Sequence, residues 1–178
     1  MSRPWFLHLV QTSRNSTASS LRARNSGHFC SPLNLEATGV LPGTALAVEP
    51  KSFAQRAPSE ADGLRAVLHA LQREAVTGAR HVDAVFACQP GDSFWGTEFS
   101  RASLRNASLM PEPLRVVIAG KGLGDAGAGA DPVMLGVPLH RARWRQAGGR
   151  RRLVHGSADG GHVGACVVEM IRSSQEEA

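Results

Sequence analysis

The stretch Leu114–Gly127 constrains this chain most, because Val116-Val117-Ile118 passes through Ala119 straight into a series of glycines. Three consecutive β-branched side chains favour extended backbone, since branching at Cβ crowds a helical turn. An apolar run without alternation suits a strand covered on both faces, as in a parallel sheet. Such a strand needs a layer on either side, which points to an α/β arrangement.

The glycines that follow, Gly122-Leu123-Gly124-Asp125-Ala126-Gly127, match G-x-G-x-x-G. In a nucleotide-binding α/β domain such a loop brings backbone N–H groups up to a pyrophosphate, with a helix amino terminus behind it. Gly122, Gly124 and Gly127 are therefore candidate nucleotide-binding residues. The surrounding sequence fits this poorly. Gly127, Gly129 and Pro132 fall where the helix should run. No acidic residue lies between Asp131 and Asp159 to meet a ribose hydroxyl.

With 178 residues, of which 42% are hydrophobic, the chain has room for one domain with tails. Aromatic residues make up 5% and tyrosine is missing, so the core has few large anchors. Of the 20 basic residues only Lys51 and Lys121 are lysine; the net charge is +5. That balance suggests anionic partners. Cys30, Cys88 and Cys166 are widely spaced and odd in number, which favours a reducing, intracellular compartment over a disulfide framework. No apolar run approaches the length of about 18 residues that a membrane span needs.

No acidic residue precedes Glu36, while Arg3, Arg14, Arg22 and Arg24 stand among many serines. Residues 1–35 thus read as a basic segment with the composition of a mitochondrial targeting peptide or of a disordered tail. Residues 36–57 read as a Pro/Gly-rich linker, with Thr44–Val48 as one edge strand.

Residues 58–172 read as a small α/β module. Ser59 and Asp62 give a capping-box-like start, and Leu64, Val67, Leu68 and Leu71 recur at helical spacing, which predicts a helix over 59–77. His81–Cys88 reads as a strand. The aromatic patch Phe94-Trp95-Gly96-Thr97-Glu98-Phe99 is expected to plug the core rather than stack a base. Ser100–Leu109 reads as a short helix and Pro132–Val137 as another strand. Ala165–Ile171 is a last strand or a short helix, which the pattern does not decide. Residues 173–178 read as a solvated tail.

Arg141, Arg143, Trp144, Arg145, Arg150, Arg151 and Arg152 crowd together without an acid. Guanidinium groups clamp phosphates and Trp144 offers a stacking face, so the cluster is expected to bind RNA or another polyanion. It could equally serve as a nuclear import signal. His155, Asp159, His162 and Cys166 lack the paired spacing of zinc sites, and nothing in the sequence sets a base beside Cys166. No metal, cofactor or catalytic residue is therefore assigned.

From sequence, then, this is a small basic α/β protein that binds nucleic acid without catalysis. A nucleotide-binding domain built on Gly122–Gly127 is the alternative, and a mitochondrial interaction protein is another. The Gly/Pro/Ser-rich stretches cost conformational entropy that a thin core has to recover, so extensive disorder is also compatible with the composition.

Overall fold

The structure, a computed structural model, describes residues 39–74, 81–143 and 149–170. These form a mixed α/β fold around one five-stranded sheet. The strands are β1 (Gly39–Val48), β2 (Ala84–Ala87), β3 (Val116–Ile118), β4 (Arg151–Ser157) and β5 (His162–Met170). Their order across the sheet is β1-β5-β4-β2-β3. β4, β2 and β3 run parallel, while β5 pairs antiparallel with both β4 and β1. The four strands other than β5 therefore share one direction. Their carboxyl ends lie along one rim.

Alternation along the strands sorts the core into two layers. Val85, Leu153, Val163, Ala165 and Val167 face α1 (Asp62–Glu74) and α2 (Ser93–Arg105), meeting Leu64, Leu68, Leu71 and Phe99. Ala84, Phe86, Val154, Cys166 and Val168 point the opposite way, towards Ala130 and Met134 of α4 (Ala130–Arg143). A five-residue helix, α3 (Ala119–Leu123), follows β3 directly.

Several elements depart from what the sequence predicts. The first helix starts at Asp62, not Ser59, because Ser59 turns inward: its Oγ accepts from Ala61 N at 3.0 Å and donates to Glu98 Oε1 at 3.2 Å. The amino end of α1 is capped from a distance instead, Gly63 N donating to Glu49 Oε2 at 2.7 Å. The second helix begins at Ser93, roughly two turns before Ser100, and Asp92 caps it by accepting from Phe94 N at 2.7 Å. It carries Trp95 and Phe99 into the core, as expected of the aromatic patch. Pro132–Val137 is helix rather than strand. Pro132 occupies the first turn of α4, where a backbone donor has no intrahelical partner to lose. The segment ending at Met170 is a strand, and β1 reaches into the stretch read as linker.

Candidate functional site

In an open sheet with helices on both faces, the crevice forms beyond the carboxyl ends of the strands, where successive connections leave in opposite directions. Here that point lies between β2 and β4. β2 leads through α2 on one face to β3, and β3 leads through α4 on the other face to β4. Cys88 and Gln89 emerge there from β2, and Gly156 lies opposite on β4.

The backbone around Cys88 is fixed from β4 on one side and from α3 on the other. Cys88 N donates to His155 O at 2.9 Å, and Gly120 N donates to Gln89 O at 2.9 Å. A Cβ on Gly120 would overlap the Pro90 carbonyl, so α3 can approach this turn only with glycine there. A Cβ on Gly156 would lie 2.7 Å from Asp131 Oδ1 and 3.4 Å from Cys88 Cβ. Asp131, in the first turn of α4, thus reaches over Gly156 to the Cys88 thiol and accepts its hydrogen bond.

The electrostatics follow from that contact. Burial first, and then the charge and hydrogen bond of Asp131, push the Cys88 thiol far above the ordinary thiol range. Burial also raises Asp131, while the hydrogen bond from Cys88 pulls it back. Cys166, on the same face, is pushed up to about 12, by burial before Asp131. The thiolate is the reactive form of cysteine, so Cys88 is a resting thiol at neutral pH. His155, the histidine on the neighbouring strand, does not serve it. Its ring stacks on Phe99 at 4.9 Å on the other face of the sheet, and burial lowers it to about 4.

That other face holds a second polar group. Glu98, 1% exposed, accepts from Ser59 Oγ and from Ser157 Oγ, the latter at 2.7 Å. Glu49 lies close enough for its charge to raise Glu98 further, although burial is the main cause. Open hollows occur elsewhere. One of about 600 Å³ lies at the amino ends of the parallel strands, bordered by Asp83, Arg115 and Gly149. Another of about 350 Å³ lies between Arg65 and Arg105.

The described arginines of the cluster are spread over a helix, a strand and the approach to that strand. Arg150 pairs with Glu169 at 3.2 Å, and Arg151 and Arg152 enter β4. Arg152 is 2% exposed, and its guanidinium donates to the carbonyls of Pro138 and Gly149. Arg141 sits with its guanidinium 5.9 Å from the Phe86 ring centroid. Arg143 ends α4; Trp144 and Arg145 lie outside the described residues, as do residues 1–35 and the tail from 173. In the glycine stretch, Gly122 falls inside α3, Gly124 ends it with φ of 68°, and Gly127 starts a turn of 3-10 helix with φ of 50°. All three are exposed. Among the described residues no three His, Cys, Asp or Glu side chains are grouped to hold a metal, and no helix is long and apolar enough to cross a membrane.

No protein-family model matches the sequence, and no curated protein is similar to it by sequence. Solved structures do resemble it. The fold is similar to that of the ishigamide ketosynthase/chain length factor, with a TM-score of 0.58 at 18% identity over 79% of this chain. It is also similar to an acetyl-CoA acetyltransferase of Bacillus anthracis, with a TM-score of 0.50 at 14% identity over 77% of this chain. The chain spans 37% and 32% of those chains, about a third of their length. The likeness is one of fold, to a part of each of these two proteins.

This corrects the expectation of a nucleic-acid-binding protein. The described arginines expected to bind a polyanion are divided between a sheet strand, a buried position and a helix, and the fold is similar to those of a ketosynthase/chain length factor and an acetyl-CoA acetyltransferase. The nucleotide-loop alternative is corrected with it, since Gly122 and Gly124 belong to a short helix and its end. Mitochondrial and nuclear addresses find no support in these likenesses. Sequence reading missed Cys88, Asp131 and Glu98. Cys88 ends a predicted strand, a signal that was available, but nothing in the sequence joins it to Asp131.

Proposed function

We propose that this chain serves the chemistry of acyl groups carried as thioesters, as a non-condensing component that accommodates the acyl thioester without forming a covalent bond to it. The fold likeness supports the ligand class, since one similar protein is named for acetyl-CoA and the other as a ketosynthase/chain length factor. The observation that carries the non-condensing part is the Cys88 thiol at the carboxyl ends of the parallel strands. A condensing cysteine reacts as its thiolate, which a lowered pKa makes available near neutral pH. Cys88 has the reverse: burial and the Asp131 carboxylate both favour the neutral thiol.

A thermal-shift series tests the ligand class. Acyl-CoA thioesters of increasing chain length should raise the melting temperature of the full chain, and free CoA should do so less. A ligand at 100 times its Kd stabilises by about 2.7 kcal/mol, a readily measured shift. No shift with any acyl thioester at saturating concentration would overturn the proposal.

A further inference from the structure

β1 stands at one edge of the sheet, and among the described residues nothing pairs with its outer side. Its last stretch, Thr44-Ala45-Leu46-Ala47-Val48, carries no charge, no proline and no bulge; Pro42 and the register shift lie before it. Charges, prolines, bulges and very short strands are the devices that keep a free edge from pairing. The opposite edge uses the last of these, since β3 has 3 residues. The register of β1 shows which of its groups are open. Glu49 N donates to Gly161 O at 2.7 Å, and antiparallel pairing alternates, so Ala45 and Ala47 likewise turn their backbone towards β5. Thr44, Leu46 and Val48 turn their N–H and C=O groups outward. Side chains alternate as well. Ala45 and Ala47 pack on the α1 layer, which sends Leu46 and Val48 to the α4 side of the sheet. There α4 packs on β2, β4 and β5, and Leu46 and Val48 stay 38% and 61% exposed.

We propose that this edge is a dimer contact: Thr44–Val48 pairs antiparallel with the same segment of a second copy of the chain, Leu46 facing the partner's Leu46 across a two-fold axis. The segment is self-complementary, as an isologous contact requires. Centred on Leu46, the pairing sets Thr44 against the partner's Val48 and Val48 against the partner's Thr44. All of these positions have outward backbone groups, so each pair exchanges both ladder bonds. The prolines select this register. Pro42 and Pro50 flank the segment at equal distance from Leu46. A centre on Ala45 would set Val48 against the partner's Pro42, and a centre on Ala47 would set Thr44 against the partner's Pro50, and proline has no N–H to give. Only the centre on Leu46 keeps every outward group paired.

The same pairing places Leu46 and Val48 beside their counterparts on one face, covering apolar surface that α4 leaves open. With no charge in the segment, nothing repels a second copy and nothing selects a partner of opposite sign. A ladder of this length lies at the low end of interface size, so dimerisation is expected at roughly 10–100 µM rather than at nanomolar concentration. The contact is separated from β2 and Cys88 by β5 and β4, and it does not depend on the acyl-thioester reading.

Sedimentation velocity of the full chain from about 1 to 300 µM tests this. The mass should rise with concentration from that of one chain towards that of two. Leu46→Lys sets like charges opposite each other at the axis and should weaken dimerisation at least about tenfold. Leu104→Lys, at an exposed leucine of α2, should leave it unchanged. A wild-type chain that stays single throughout, a dimer that Leu46→Lys leaves intact, or one that both variants weaken alike would overturn the proposal. Mild oxidation tests the register. Leu46→Cys should give a disulfide joining the two substituted positions, since opposed Cα atoms of a hydrogen-bonded pair lie about 5.5 Å apart. Val48→Cys, at a more exposed position, should not, because its counterpart lies about 13 Å further along the partner strand. Disulfides of equal yield in both variants, or in neither, would overturn the pairing about Leu46.

Discussion

Two arginines adjacent but for one residue show how position decides chemistry. Arg150 is an exposed strand-end residue paired with Glu169, whereas Arg152 is buried with its guanidinium on main-chain carbonyls. Arg150→Gln is expected to change stability by less than about 1 kcal/mol, the usual range of an exposed pair. Arg152→Gln should cost about 1–3 kcal/mol, because the Pro138 carbonyl is left without its donor inside the protein. Denaturant midpoints of the two variants measure the difference. Cys88 gives a second residue-scale prediction. Its alkylation by iodoacetamide at pH 8, followed at peptide resolution, should be at least about tenfold slower in the folded chain than in urea. Asp131→Asn removes a neighbouring charge that holds the thiol protonated and should speed the folded reaction; an unchanged rate would place the whole effect on burial.

Among the elements, those with a strong local pattern were legible. Leu64, Val67, Leu68 and Leu71 announced α1, and the β-branched run announced β3. What local pattern does not encode was lost. The amino end of α1 is set by Glu49, distant in sequence, so Ser59 misled as a cap. Gly127, Gly129 and Pro132 argued against helix, yet Pro132 occupies a first turn and α4 is held by Ala130 and Met134 against the sheet. Arg151 and Arg152 concealed β4, because they were grouped with a polyanion-binding cluster when the neighbouring Leu153, Val154 and His155 are buried. The approach of α3 to β2 is equally non-local. Gly120→Ala should destabilise by about 1–3 kcal/mol through its overlap with Pro90, in contrast to Gly122→Ala, which meets open space. Matching midpoints for these two variants would contradict the close approach.

At the scale of the whole molecule, α1, α2 and α4 enclose one sheet whose four co-directional strands end on a common rim. Leu64 and Leu153 are fully buried in the same layer, and Leu64→Ala should cost about 2–5 kcal/mol. The α/β class was readable from sequence, but the rim was not, since Cys88, Asp131 and Gly156 meet only once the strand order is known. On the proposed function, the protonated Cys88 at that meeting point is what sets this chain apart from a condensing one. The most direct test is the intact mass of the full chain after incubation with an excess of acetyl-CoA and longer acyl-CoA thioesters at pH 7.5. The resting Cys88 thiol predicts an unmodified chain even where those thioesters raise its melting temperature. A stoichiometric acyl adduct mapped to Cys88 would contradict the account and make that cysteine a nucleophile.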